Sequence, residues 1–191
     1  MIAGVLLAAG AGTRFGGRKL LHPLPTGTPV GVAALRNLRS AVPRVVTVVR
    51  PGDDELRLLL AGEGAPIVEC AEAERGMGHS LAAGVAAELD ADGWVIALGD
   101  MPHVRPDTIR AVVEALEQGA PLVVPVFAGQ RGHPVGFGRG FRDDLLRLTG
   151  DAGARVVLMS HASAVHQLEV DDPGVVQDMD TPTDAARLAG A

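Results

Sequence analysis

The sequence is poor in residues that mark several classes of protein. Of its 191 residues one is cysteine, Cys70, none is tyrosine, and aromatic residues make up 3%. A single cysteine excludes an internal disulfide and a cysteine-cluster metal site, and it suits a reducing compartment. The few aromatic side chains exclude the stacking platforms that bind single-stranded nucleic acids. We expect Cys70 to pack in the core at a strand end, because no activating base lies near it in the sequence.

Long apolar runs and clusters of positive charge are also missing. The apolar runs are much shorter than the roughly 18 residues that a membrane-spanning helix needs. The net charge of −6 disfavours a general nucleic-acid surface, because duplex binding needs clustered Lys and Arg. Residues 1–7 carry no basic leader of the kind that begins a secretory signal. These features predict a single cytoplasmic domain over 1–191, with neither membrane nor nucleic acid as a partner.

Apolar, β-branched runs alternate with helical segments. The runs are too uniformly apolar for half-exposed antiparallel strands, so they predict an α/β fold with a mostly parallel central sheet. Between 127 and 140, glycines and Pro134 predict a hairpin or an irregular excursion. The predicted strands are 2–8, 44–49, 66–69, 94–98, 122–126 and 165–170. The predicted helices are 30–41, 53–61, 80–89, 106–118, 141–148, 154–161 and 182–188.

A glycine-rich loop with two cations follows the first predicted strand. Residues 6–19 read LLAAGAGTRFGGRK, and the cations are Arg14 and Lys19. Glycines let backbone N–H groups turn toward phosphate oxygens, and the two side chains neutralise phosphate charge. At the carboxyl end of a parallel strand, this segment predicts a phosphate-binding loop rather than a flexible loop with solvated charges.

Two better-known phosphate loops fit this segment less well. A P-loop would place Ser or Thr after its lysine, whereas Leu20 follows Lys19. A dinucleotide fingerprint would have a glycine at Phe15 and an acidic residue near the end of the second strand, where Arg50 stands. An NADP-type role for Arg50 stays open, although the absence of tyrosine excludes the Tyr/Lys chemistry of short-chain dehydrogenases.

An acidic residue comes directly after the fourth predicted strand. Residues 95–102 read VIALGDMP, with Asp100 at the strand's carboxyl end. A carboxylate there points into the ligand crevice, where a metal ion that bridges triphosphate oxygens needs only one or two protein carboxylates. Asp100 is therefore a candidate metal ligand. The alternative is an aspartate that caps a turn before Pro102.

The order of the motifs resembles a known family. After the glycine loop come GMGHSL at 76–81, GDMP at 99–102, RGHPV at 131–135, GDAGAR at 150–155 and DMDTP at 178–182. Together they resemble the molybdenum cofactor nucleotidyltransferases, specifically the molybdopterin cytidylyltransferase branch, over nearly the whole chain. The glycine loop alone would indicate only the broader nucleotidyltransferase superfamily.

The resemblance implies a three-layer Rossmann-like fold and transfer of CMP from CTP to Mo-molybdopterin, with release of pyrophosphate. It implies that Mg²⁺ is held by Asp100, with Asp180 as a second carboxylate. The catalytic residues would be Arg14, Lys19 and Asp100. The acceptor, a pterin phosphate, would meet Arg131, His133, Asp151 and Arg155. The nucleotide would contact Ala8, Ala9, Gly10, Gly12, Arg14, Lys19, Gly76, Gly78, Ser80 and Asp100.

Several alternatives stay open at this point. Ala9 favours CTP, because the guanylyltransferase branch carries a second glycine there. The other candidates are a guanylyltransferase, a transferase for a different phosphorylated acceptor, and a non-catalytic protein that holds the cofactor or a nucleotide for insertion. A molybdenum hydroxylase would receive the product. The segment 22–29, rich in proline and glycine, is longer than the usual connection after the loop lysine, which leaves the placement of the next helix open.

Overall fold

The fold is built on a central sheet. The computed structural model describes residues 1–10, 12, 15–16 and 18–179. Its strands are β1 (Ile2–Leu7), β2 (Arg44–Val49), β3 (Ile67–Glu69), β4 (Gly93–Leu98), β5 (Leu122–Phe127), β6 (Gln130–Arg131), β7 (Val135–Gly138) and β8 (Val165–Glu169). The α-helices within these ranges are α1 (Val30–Ala41), α2 (Asp54–Gly62), α3 (Met77–Ala86), α4 (Pro106–Glu117), α5 (Arg142–Leu146) and α6 (Arg155–Ser160). The predicted helix 182–188 lies outside the described residues.

The strand order is β3-β2-β1-β4-β7-β5-β6, and β8 also pairs with β5. The neighbours β3, β2, β1 and β4 are parallel, as are β5 and β8, whereas β7 runs antiparallel to both β4 and β5. The mostly parallel α/β sheet is therefore confirmed. The glycine-rich stretch forms a short β5–β6 hairpin and then the inner strand β7. Gly136 allows α4 to pack closely over β7, because a Cβ at this position would lie 2.9 Å from the Val112 side chain of α4.

Helices cover both faces of the sheet and form three layers. Side chains of α1, α2 and α4 make one core with Leu6 of β1, and side chains of α3, α5 and α6 make the other with Val5. Successive side chains of β1 point to opposite faces of the sheet and enter both cores, which explains why the strand is uniformly apolar. Cys70 is buried in the second core, so its predicted packing role is confirmed, and Trp94 is buried in the same core.

Helix α3 begins earlier than the sequence predicts. The prediction placed its start at Ser80, whereas the helix starts at Met77 after Gly76, whose φ is 126°. A Cβ on Gly76 would lie 2.2 Å from the carbonyl carbon of Gly150, and one on Gly78 would lie 2.8 Å from the Thr149 oxygen. Both glycines therefore let the start of α3 touch another loop backbone to backbone. The motif at 76–80 is a helix start rather than a free loop.

The proline-rich segment 22–29 folds back on itself. Leu24 N–H donates to the Thr28 oxygen at 2.9 Å, and Val30 N–H donates to the His22 oxygen at 3.0 Å. These bonds bring the chain to the start of α1 at Val30, where the sequence predicts it. Among the described helices, none combines the length and the apolar character needed to cross a membrane.

Candidate active site

A cavity of about 350 Å³ opens at the carboxyl ends of β1 to β4. Parallel strands bring the loops that follow them to one edge of the sheet, and each of these four loops contributes to the wall. The lining residues are Leu7, Ala9, Gly10, Gly12, Lys19, Leu20, Arg50, Ala73, Glu74, Gly76, Met77, Ser80, Leu98, Asp100 and Asp151. We call this space the nucleotide cavity.

An ion pair joins the two charged residues singled out in the sequence. Lys19 Nζ donates to Asp100 Oδ2 at 2.6 Å, and their side chains are 13% and 21% exposed. Lys19 lies in a short 3₁₀ turn after the glycine loop, and Asp100 follows β4 through Gly99. A cation suited to phosphate oxygens and a carboxylate suited to a metal ion therefore face the same cavity. The two charges neutralise each other in this ion pair.

Most of the predicted nucleotide-binding residues line this cavity. Ala8 does not line it: its N–H bonds to the Val48 oxygen at 2.8 Å, and its side chain lies in the core. Gly78 is also absent from the wall, because it packs against Thr149. Arg14 lies outside the described residues. The residues brought together are Ala9, Gly10, Gly12, Lys19, Gly76, Ser80 and Asp100.

A second cavity of about 640 Å³ adjoins the first and shares Leu7, Met77, Leu98 and Asp151 with it. We call it the acceptor cavity. The residues predicted from the resemblance to face the acceptor all line it, namely Arg131, His133, Asp151 and Arg155. Apolar side chains form most of the remaining wall, namely Leu7, Met77, Leu81, Ile96, Leu98, Val124, Val135, Leu158 and Met159.

Different elements carry the four polar residues of the acceptor cavity. Arg131 ends β6, His133 lies in the turn to β7, Asp151 lies in the 3₁₀ turn Gly150–Ala152, and Arg155 begins α6. Within the described residues no ion pair joins Arg155 to Asp151. A structural pairing along one helix is the plain alternative for this arginine, and the structure does not show it.

His133 lines the acceptor cavity and lies close enough to Asp100 to feel its charge. Burial lowers the pKa of its imidazole, and the nearby negative charge of Asp100 opposes that shift. Because burial is the larger cause, the ring is neutral at neutral pH. A neutral ring offers one hydrogen-bond donor and one acceptor to a ligand.

Residues 4–165 match the model of the MobA-like NTP transferase domain, which covers most of the chain. The chain belongs to this family of nucleotidyltransferases. The domain joins a nucleotide cavity to a second, larger cavity, as transfer between two bound substrates requires.

Relatives of this NTP transferase match nearly its full length. Purine catabolism protein PucB of Bacillus subtilis (strain 168) is 35% identical over 95% of this chain and 92% of its own. Nicotine blue oxidoreductase of Paenarthrobacter nicotinovorans is 32% identical over 98% and 96%. The crystal structure of Rv0371c from Mycobacterium tuberculosis H37Rv has a TM-score of 0.88 at 33% identity, with 100% and 97% of the chains covered. Its complex with manganese has a TM-score of 0.83 at 32% identity, with 100% and 98% covered. The names of the two relatives refer to different chemistries.

The carboxylates of the NTP transferase suit a metal ion that takes most of its ligands from substrate phosphates and water. The described residues contain no group of three or more His, Cys, Asp or Glu side chains placed to hold a metal. Three carboxylates line the nucleotide cavity, namely Glu74, Asp100 and Asp151, and Asp180 lies outside the described residues. Mg²⁺ commonly binds through one or two carboxylates together with substrate phosphates and water, so a single carboxylate at this place is sufficient to begin such a site.

Sequence reasoning missed some residues of the nucleotide cavity wall. Glu74 and Met77 line it. Glu74 belongs to no motif in the sequence, whereas Met77 lies inside the motif GMGHSL, between the predicted contacts Gly76 and Gly78. Arg50 also lines it, and its position after β2 was a usable signal. Its guanidinium lies 3.7 Å from the Asp53 carboxylate, which partly neutralises it.

Proposed function

We propose that this NTP transferase transfers CMP from CTP to Mo-molybdopterin and releases pyrophosphate. The observation that carries the proposal is the pairing of two cavities. One presents Lys19 and Asp100, and the other presents the four residues expected at the acceptor. Triphosphate and acceptor phosphate can then meet at their shared wall.

The wall of the acceptor cavity suits a flat ring system with an anionic end. Apolar side chains such as Leu81, Ile96 and Val124 can pack against the faces of a ring, and the polar residues of the wall can meet its polar groups. Arg131 and Arg155 are the cations that would meet an acceptor phosphate, since guanidinium groups bind phosphate oxygens bidentately. These residues support an acceptor that carries a phosphate, and the family resemblance supports a pterin as the rest of it.

The proposed reaction needs no protein nucleophile. An oxygen of the acceptor phosphate forms a bond to the α-phosphorus of CTP, and the bond from that phosphorus to the bridging oxygen of the β-phosphate breaks. Pyrophosphate leaves with the electron pair. The attacking phosphate is already ionised near neutral pH, so His133 serves as a hydrogen-bond partner rather than a general base.

Charge neutralisation and positioning carry the catalysis. Lys19 and, by the family resemblance, Arg14 stabilise the triphosphate and the leaving pyrophosphate. Asp100, with Asp180 as the second carboxylate, would hold the metal ion. The ion supplies charge neutralisation at the phosphate oxygens when it is bound. The manganese complex of Rv0371c supports a divalent ion in this fold, and we propose Mg²⁺ for this chain.

The base is proposed from one position. Ala9 lines the nucleotide cavity at the end of β1, where the guanylyltransferase branch has glycine. We therefore favour CTP, with GTP as the alternative nucleotide. A molybdenum hydroxylase is the proposed recipient of the product, because such an enzyme would use the nucleotide form of the cofactor.

A paired turnover assay tests the proposal. The protein is incubated with Mo-molybdopterin, Mg²⁺ and either CTP or GTP, and pyrophosphate release and the mass of the product are measured. We expect Mg²⁺-dependent release with CTP and a product one CMP heavier than the acceptor. Pyrophosphate release with GTP but not with CTP would assign the guanylyltransferase reaction. Release with a sugar phosphate in place of the pterin would contradict the proposed acceptor.

A further inference from the structure

A segment beyond the family-domain match runs behind both cavities. We call residues 171–179 the C-terminal strap; they follow β8 and lie outside the matched residues 4–165. Met179 N–H donates to the backbone oxygen of Asp100 at 3.1 Å, and His133 N–H donates to the Val175 oxygen at 2.9 Å. The strap thus binds one key residue of each cavity. Met179 also directly precedes Asp180, the proposed second carboxylate.

Close backbone packing fixes the strap between the loop after β4 and the turn before β7. A Cβ on Gly174 would lie 2.2 Å from the His103 oxygen, and one on Gly132 would lie 2.1 Å from the Val175 oxygen. Real Cβ contacts are not this short, so the segments meet backbone to backbone. A small displacement of the strap must therefore move the loop after β4 or the turn before β7.

One buried carboxylate anchors the strap to the start of α4. Asp172 is 2% exposed. Its Oδ2 accepts from Arg105 N–H at 2.9 Å and from Thr108 Oγ1 at 2.7 Å, and its Oδ1 accepts from Gly174 N–H at 3.0 Å. The Arg105 guanidinium lies 3.9 Å away and donates to the Asp171 oxygen at 2.7 Å. A buried carboxylate is costly unless it is hydrogen-bonded, and these donors satisfy this one.

We propose that Asp172 is a positioning residue of the active site. By holding the strap on α4, it fixes the backbone of Asp100 relative to that of His133, and so fixes the nucleotide cavity relative to the acceptor cavity. The inference rests on the proposed role of Asp100 at the metal ion. In-line transfer tolerates little misplacement, since about 1 Å can cost two orders of magnitude in rate.

The test compares neighbouring aspartates. Asp172→Asn replaces the buried acceptor oxygen by an NH₂ group facing donors, and Asp171→Asn makes the same chemical change at an exposed side chain. Gly174→Ala displaces the strap while keeping the carboxylate, so it serves if Asp172→Asn does not fold. Three quantities are measured: NMR hydrogen exchange of the His133 and Met179 amides, Mn²⁺ affinity by EPR, and kcat with KM for the nucleotide.

Asp172→Asn should raise exchange of both amides at least tenfold, weaken Mn²⁺ binding and lower kcat more than it raises KM, whereas Asp171→Asn should match the wild type. Unchanged amide protection in Asp172→Asn would overturn the proposal. So would loss of protection with normal Mn²⁺ affinity and kcat, because the strap would then be structural only. If the wild type shows no CTP turnover, the proposed function fails, but exchange and Mn²⁺ binding still decide the role of Asp172.

Discussion

The two ends of the central sheet each carry an ion pair, and the pairs differ in what surrounds them. At the carboxyl end, Lys19 and Asp100 line the nucleotide cavity. At the amino end, Arg44 contacts the carboxylate of Glu88, whose side chain is 6% exposed, without hydrogen-bond geometry. At the same end of the sheet, the buried Trp94 Nε1 donates to the Glu88 backbone oxygen at 3.1 Å. We propose that the pair at the carboxyl end serves a ligand, and we expect the pair at the amino end to contribute to stability.

Asp100→Asn should give the largest effect and break the carboxyl-end pair without unfolding the protein. The side chains are nearly isosteric, but the amide has lost the charge that we propose holds the metal ion. Turnover should fall by about two orders of magnitude, the size expected for a main electrostatic contribution. Metal-dependent turnover close to the wild-type value, at normal thermal stability, would remove Asp100 from the metal site.

Lys19→Ala and Arg155→Ala should separate the two cavities. Loss of a cation at the leaving pyrophosphate slows chemistry, so Lys19→Ala should lower kcat with any acceptor. Arg155→Ala should mainly raise KM for the acceptor, about tenfold or more, as expected for a lost hydrogen bond to a charged group. Calorimetry should show CTP affinity unchanged in the Arg155 variant. Reduced CTP affinity there would place Arg155 outside the acceptor site.

Arg44→Ala tests the amino end of the sheet. It leaves the Glu88 carboxylate buried without its partner, so the free energy of unfolding should fall by about 1 to 3 kcal/mol. Denaturant titration measures that loss, and kcat and KM should keep their wild-type values. A variant of normal stability would show that the pair contributes nothing. A variant with slow turnover at full folding would show that the two ends are not separate.

Gly78→Ala should affect the acceptor although the residue lies in a motif assigned to the nucleotide. The new Cβ would meet Thr149 backbone atoms at 2.8 to 2.9 Å, so the turn that carries Asp151 has to move. Because Asp151 lines both cavities, we expect acceptor KM to rise several-fold and CTP affinity by calorimetry to fall less than that. Gly62→Ala is the control, because nothing lies within 4 Å of its Cβ. A larger loss of CTP affinity than of acceptor affinity in Gly78→Ala would return the residue to the nucleotide side.

The residues of the site that lie in short segments directly after a strand could be predicted from the sequence. A strand followed at once by a glycine loop, or by Asp100, locates a residue at the carboxyl end of a parallel sheet, and four such ends meet in the nucleotide cavity. The acceptor residues came from the family resemblance, not from spacing. Arg131 and Arg155 belong to segments far apart in the chain, and only tertiary packing brings them into one cavity.

Contacts between backbones were beyond sequence reasoning. Gly78 belongs to a nucleotide motif by position, but it faces Thr149, about 70 residues later in the chain. The inner position of β7 was equally hidden, because a glycine-rich stretch is typical of a loop unless a helix such as α4 packs tightly over it. Asp172 gave no signal, since its partners Arg105 and Thr108 are distant in sequence.

Ala9→Gly should give the smallest effect, and it sharpens the comparison inside the nucleotide cavity itself. Removing the methyl group makes room beside the base, and one such group is worth at most about 1 to 3 kcal/mol in discrimination. Because Arg50 and Glu74 still line the cavity, the shift toward GTP should be partial. The kcat/KM ratio for CTP over GTP measures it. Ala8→Gly is the matched control, since Ala8 lies in the core beside the cavity and should change stability alone. An unchanged ratio, or an equal shift in both variants, would show that Ala9 does not read the base.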